Sequence, residues 1–311
     1  MSSLTGDDIS QEYFELDTAP YVAGEAYYNP LTTYKIKVKS SFTGEALIVP
    51  AKYTANGETR PVAQIRVYNG GAHDPYCTTL KRLFFEQNNE IAVISHILDA
   101  GSELQPLCNN FEYFDFSALQ HLLYVGPSAF YQGKKISITE LPDSIKYIAV
   151  NSFDSIPGLT ITKLPTDLEY IDINAFNNCQ NLRSLNINTA KNLKVIAQGA
   201  FYNCENLTIP DETILYVDTI GENAFYNCHN LVLNFSSDKG ASKLRVLEKE
   251  AFYNSALGLN ELPSNIEILR ANCFKMDATY IDKNIMNFEL LPSSLTTIDS
   301  GIFLGRASSQ I

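Results

Sequence analysis

The chain has 311 residues, 45% hydrophobic and 19% charged, with 35 acidic against 23 basic side chains and a formal net charge of −12. That length holds one or two domains, and the acidic balance excludes the basic footprint that neutralises nucleic-acid phosphates or anionic lipid headgroups. No apolar run approaches the ~18 residues a membrane-crossing helix needs, and the opening MSSLTGDDIS lacks the basic and apolar segments of a signal peptide. Two readings follow: a cytoplasmic chain, or the mature form of an exported one.

In chain order, residues 1–30 come first. They hold the acids Asp7, Asp8, Glu12, Glu15, Asp17 and Glu25 with no Lys or Arg, and read as a partly ordered acidic leader. Residues 31–70 read as an N-terminal β cap and first repeat. Tyr34, Ile36 and Val38 alternate as a strand does, Leu47 and Val49 predict a second, and Asn56-Gly57 is a tight-turn signal. Val62 and Ile65 read as the inward pair of a further rung. Residues 71–311 are the repeat array, with degenerate copies first: CTTLKRLFF (77–85) and CNNFEYFDF (108–116) keep the spacing of CQNLRSLNI (179–187).

The regular repeat begins at Phe130. Equivalent phenylalanines are Phe153, Phe176, Phe201, Phe225, Phe252, Phe274 and Phe303, at spacings of 23, 23, 25, 24, 27, 22 and 29 residues. Five residues before each stands an aliphatic (Val125, Ile148, Ile171, Ile196, Ile220, Leu247, Leu269, Ile298), and eight before it another (Leu122, Ile145, Leu168, Leu193, Val217, Leu244, Ile266, Leu295). The residue just before it is small (Ala129, Ser152, Ala175, Ala200, Ala224, Ala251, Cys273) except at Ile302. After the Phe, an alternation such as Ile136-Ser137-Ile138-Thr139 predicts one short half-buried strand per rung, closed by Leu-Pro at Leu141-Pro142, Leu164-Pro165, Leu262-Pro263 and Leu291-Pro292. The period of about 24 lies within the range of leucine-rich repeats and other solenoids. The expected fold is a coil of short parallel strands and irregular turns with little helix, each rung burying its apolar face against its neighbours.

The run Ile220-Gly221-Glu222-Asn223-Ala224-Phe225-Tyr226-Asn227-Cys228-His229-Asn230-Leu231 resembles the BspA-like leucine-rich repeat family position by position. Ile171 to Leu182 and Ile196 to Leu207 follow it closely, and residues 43–65 look like the family's usual first repeat; the resemblance covers roughly residues 43–305. It implies a leucine-rich repeat solenoid that is not an enzyme. It also implies a cell-surface or secreted adhesion or binding protein engaging a protein or glycan ligand, the alternative being an intracellular scaffold or effector.

Candidate sites are weighed against their repeat siblings. Cys179, Cys204 and Cys228 share one column, which suggests a disulfide or metal ladder. The same column also holds Gly133, Ile156 and Ser255, which favours buried reduced thiols acting as small hydrophobes. Paired zinc-ligand spacing is absent, and the reading assigns no catalytic, cofactor-binding or metal residue. An inward Cys228 leaves His229 facing outward, while His73, His96 and His121 share no spacing. Tyr131, Tyr202, Tyr226 and Tyr253 follow their corner Phe directly and form a candidate ligand-contact row or, alternatively, a mutually stacked ridge. Ser137, Thr160, Ser184 and Asn186 are candidate contacts on the expected sheet face. The sequons at Asn206 and Asn234 fall in expected strands and read as accidents of the repeat. The C-terminal GIFLGRASSQI shows no polar cap, so that end is expected to be covered by a loop, by further sequence, or by a partner chain through self-association.

Overall fold

A strand of two residues cannot hold itself together; in this protein it is held by the strand one repeat away. The computed structural model describes residues 11–18, 31–67, 79–95, 97–98, 109–209, 216–231, 242–255, 262–277 and 291–302. The chain divides into two compact units, Met1–Gly158 and Leu159–Ile311.

In the first unit, β1 (Phe14–Leu16) lies antiparallel to β2 (Tyr34–Val38), so part of the acidic leader is an edge strand. β4 (Lys52–Ala55) and β5 (Glu58–Arg66) form the hairpin signalled by Asn56-Gly57, both in the left-handed region at φ 53° and 80°. β2 pairs in parallel with β5, β5 with β7 (Val93–Ser95), β7 with β9 (Tyr124–Val125), and β9 with β10 (Tyr147–Ile148). The inward column of this ladder is Ile36, Ile65, Ile94, Val125 and Ile148, all buried. A second parallel sheet joins β3 (Ala46–Val49), β6 (Arg82–Phe85) and β8 (Tyr113–Phe114). β6 and β8 are the two degenerate copies, and their Leu80, Leu83, Phe111 and Phe114 are buried as the repeat spacing requires.

The second unit is the regular one. β11 (Tyr170–Ile171), β12 (Val195–Ile196), β13 (Thr219–Ile220), β14 (Val246–Leu247), β15 (Ile268–Leu269) and β16 (Thr297–Ile298) pair in parallel without a register shift. The strands therefore precede the corner Phe, whereas the alternation predicted them after it. Among the described residues after the corner, this unit pairs only through the isolated bridges Lys163↔Asn186 and Ser184↔Thr208. The reason lies in the spacing. The two aliphatic columns sit at fixed distances before each Phe, so all variation in repeat length, from 22 to 29 residues, falls after it and breaks the register there.

The corner is built from backbone as much as from side chains. Phe176, Phe201, Phe225, Phe252 and Phe274 stack face to face at 5.1, 5.1, 5.2 and 5.8 Å between ring centroids. The N–H of each donates to the carbonyl of the residue before the next Phe, as Phe201 does to Ala224 at 2.8 Å. That close approach requires the small residue. Except at Met276, the positions two before and two after these Phe residues adopt the left-handed conformation, and Asn fills most of them: Asn174, Asn178, Asn203, Asn223, Asn227, Asn254 and Asn272, with φ between 54° and 58°. Asn tolerates this region better than most residues. The Leu-Pro steps end in turns; the Pro165 and Pro263 carbonyls accept from Leu168 and Ile266. In the last rung the inward column opens, and Ile298 is 51% exposed where its siblings are buried. Phe303 lies outside the described residues.

Candidate functional site

The cysteine column is the first place to look for chemistry, and its geometry is that of a scaffold. Cys179, Cys204 and Cys228 are buried thiols outside any disulfide. The Cys204 thiol donates to the Phe176 carbonyl at 3.1 Å and the Cys228 thiol to the Phe201 carbonyl at 3.2 Å. Ser255, in the same column, uses its hydroxyl on the Phe225 carbonyl. The column thus selects a small side chain that can satisfy the corner carbonyl of the preceding rung. Burial pushes the Cys228 thiol well above its ordinary range, so the thiolate needed for nucleophilic attack is not populated near neutral pH. Beside it His229 is half-buried, as is its equivalent Gln180, while Glu205 is exposed. His121 is exposed, and His73 and His96 lie outside the described residues. Among the described residues no group of three or more His, Cys, Asp or Glu could hold a metal ion. None of their helices is long and apolar enough to cross a membrane.

The tyrosine row is a stacked ridge in the second unit. Tyr202 and Tyr226 stack at 4.9 Å and 13°, and Tyr226 and Tyr253 at 4.6 Å and 2°. Lys275 Nζ closes the far face of Tyr253 at 5.2 Å. Tyr226 is thus stacked on both faces and offers outward its edge and hydroxyl, while Tyr202 is stacked on the Tyr226 side. Tyr253 is only 9% exposed. Beside the rings runs an amide ladder: Asn227 Nδ2 donates to Asn203 Oδ1 at 2.9 Å, and Asn254 Nδ2 to Asn227 Oδ1 at 3.2 Å. Asp277 ends both rows, accepting from the Tyr253 hydroxyl at 2.5 Å and from Asn254 Nδ2 at 3.0 Å. The Tyr253 and Asn254 hydrogen bonds hold the Asp277 carboxyl below its usual range; the same bond, with burial second, raises the Tyr253 phenol. Tyr131 stands in the first unit, half-buried, its hydroxyl accepting from Gln132 Nε2 at 3.0 Å.

Ser137, Thr160 and Ser184 are exposed and Asn186 is half-buried. They lie after the corner, so they are not on the face of the continuous sheet. Asn186 instead caps the short 3-10 segment Ile187–Thr189, its Oδ1 accepting from the Asn188 N–H at 3.0 Å. The Asn206 side chain lies in a turn rather than a strand and donates to the Gln180 carbonyl at 2.8 Å; Asn234 lies outside the described residues.

The true sheet face carries residues that the sequence reading passed over. In the first unit three of its five outward positions, Gln64, Val93 and Tyr124, are buried, while Lys35 and Tyr147 at its two sides are half-buried. In the second unit the outward column is Tyr170, Val195, Thr219, Val246, Ile268 and Thr297, each half-buried and open to contact. One residue upstream runs a column of alternating charge: Glu169, Lys194, Asp218, Arg245, Glu267. Lys194 pairs with Glu169 at 2.5 Å, and Arg245 bridges Asp218 and Glu267 at 3.3 and 2.7 Å. Arg245 holds the Glu267 carboxyl below its usual range. The signal for this column was the sign alternation at the repeat spacing.

A leucine rich repeat protein of T. pallidum aligns with a TM-score of 0.51 at 18% identity, over 71% of this chain and 88% of that one. At that identity the likeness bears on the fold, and the fold is the same repeat coil. A leucine rich cell surface protein of Faecalibacterium prausnitzii aligns with a TM-score of 0.35 at 20% identity, over 90% of this chain and 85% of that one. No curated protein matches. The family model for the BspA type leucine rich repeat region matches in six copies, over residues 106–232 and 208–311. That is well over half of the sequence, and the chain belongs to this family.

Proposed function

We propose that the protein is a non-enzymatic recognition module, displayed at a cell surface or secreted, that engages a protein or glycan ligand. The observation that carries this reading is the open outward column of the second unit. Tyr170, Val195, Thr219, Val246 and Ile268 repeat at one rung spacing on a backbone fixed by parallel pairing. Flanking acids and bases are already paired with each other. Such a surface is preorganised, so a ligand binds it with little ordering cost. Family membership supports the same reading. Two further surfaces of the second unit extend it: the hydroxyl edges of Tyr202 and Tyr226, and the polar residues Thr160, Ser184 and Asn186.

The test measures saturable binding of the labelled full chain to immobilised extracellular-matrix proteins and to a glycan array. The variants are Thr219→Arg with Val246→Arg on the sheet face, Tyr202→Ala with Tyr226→Ala on the ridge, and Ser184→Arg after the corner. The reading expects the sheet-face pair to weaken binding by about tenfold or more, as loss of a central contact does. Absence of saturable binding on both panels overturns it.

A further inference from the structure

The second unit contains a shallow depression of about 470 Å³ at the upstream ends of its strands, lined among others by Glu169, Lys191, Lys194, Tyr216, Asp218 and Lys243. Its acids are spoken for: Lys194 lies 2.5 Å from Glu169, and Arg245 lies 3.3 Å from Asp218. Lys194 also sits over the Tyr170 ring at 5.6 Å. The ammonium groups of Lys191 and Lys243 are exposed and make no ion pair or hydrogen bond among the described residues. Among the described residues the depression therefore presents two positive charges with no ion-pair partner, on a chain of net charge −12.

Their spacing narrows the ligand. Lys191 precedes β12 and Lys243 precedes β14, two rungs on, which places their columns ~10 Å apart at the inter-strand distance of a sheet. Tyr216, half-buried, comes from the rung between them. A single phosphate must draw both long side chains inward to a shared point, whereas two acidic groups on neighbouring rings of a sugar would give each ammonium its own partner, with the Tyr216 phenol between them for a pyranose ring. We propose that this depression binds an acidic saccharide through carboxylate or sulfate groups held by Lys191 and Lys243. The depression adjoins the outward column through Lys194, but Lys191, Lys243 and Tyr216 are not part of that column, so the lysine pair is tested independently of it.

The probe is a sulfated, uronate-containing disaccharide titrated calorimetrically into the full chain at low ionic strength. Its uncharged parent, inorganic phosphate and a short aspartate-rich peptide serve as comparisons. Saturable binding of the sulfated disaccharide alone is expected, weakened about tenfold or more in Lys191→Gln/Lys243→Gln. Arg183→Gln, an exposed charge change outside the depression, is expected to shift affinity less than about twofold. Superimposable circular dichroism checks that the variants fold. The proposal is overturned if the disaccharide does not saturate, if phosphate or the peptide binds as tightly, or if the lysine pair binds like the parent protein.

Discussion

The two units meet the same requirement, satisfying the backbone of very short rungs, by different means. The first unit uses length and covering. β5 is nine residues long, the post-corner side forms a true three-stranded sheet, and β7 and the second half of β5, from Val62 to Arg66, are buried on both faces. It also holds a buried ion pair, Arg66 to Asp17 at 2.6 Å, between residues 49 positions apart. The second unit uses repetition. Its strands are two residues long, and the corner supplies what they lack: stacked phenyl rings, left-handed asparagines bonded rung to rung, and a thiol or hydroxyl on the Phe176, Phe201 and Phe225 carbonyls. Regularity thus replaces strand length, and it leaves the whole outward column half-buried, where the first unit buries the middle of its own.

If the corner carries the second unit, its largest sensitivity lies there. Phe201 is fully buried between Phe176 and Phe225, 5.1 Å from each. Phe201→Ala is expected to cost about 3–5 kcal/mol, the range for emptying a packed aromatic site, read as a drop in the urea midpoint. A loss below ~1 kcal/mol would mean that the strands alone hold the rungs.

The first unit should break at its ion pair. Arg66 and Asp17 are both buried, so Arg66→Ala leaves a carboxylate without its cation and is expected to cost about 3–5 kcal/mol. The matched double replacement, Arg66→Met with Asp17→Leu, is expected to recover most of that loss. If single and double variants are equally unstable, the packing of the side chains matters there rather than their charge.

These contrasts mark what the sequence could show. The corner Phe, the two aliphatic columns and the small residue were legible because full burial admits few residue types. The degenerate copies were legible for the same reason, through Leu80, Leu83, Phe111 and Phe114. The strand position was misread because a two-residue strand is too short to display alternation, while the stretch around Ile136 to Thr139 alternates without continuous pairing. The asparagine columns and the alternating charges were present in the sequence at the repeat spacing, but their cause, a left-handed backbone and cross-rung pairing, is conformational. No local signal could pair Asp17, in a run of acids, with Arg66.

A smaller effect tests the thiol column. If the column needs a compact donor, Cys228→Ser keeps the bond to the Phe201 carbonyl, as Ser255 does for Phe225. It is expected to change stability by less than ~1 kcal/mol. Cys228→Val removes the donor and leaves that carbonyl without it, at an expected cost of about 1–3 kcal/mol. The order of the two urea midpoints decides: Val above Ser would show that the column selects apolarity alone.

The smallest effect comes from Asp277, which ends the tyrosine and asparagine rows. Its carboxyl is held below its ordinary range by the Tyr253 hydroxyl first, then by Asn254, with Lys275 adding to the shift. A carboxyl whose pKa is lowered by folding stabilises the folded state fully above its unfolded value, ~3.9 for Asp. That stabilisation is lost as pH falls through the folded value. Asp277 is exposed, so solvent and salt screen the contribution to less than ~1 kcal/mol. Asp277→Asn keeps the shape and removes the titration. The difference in urea midpoint between the parent protein and this variant is expected to be constant from pH 7 to about 5 and to shrink below about 4. A difference that does not change across that acid window would mean that the row ends on hydrogen-bond geometry alone, without help from the charge.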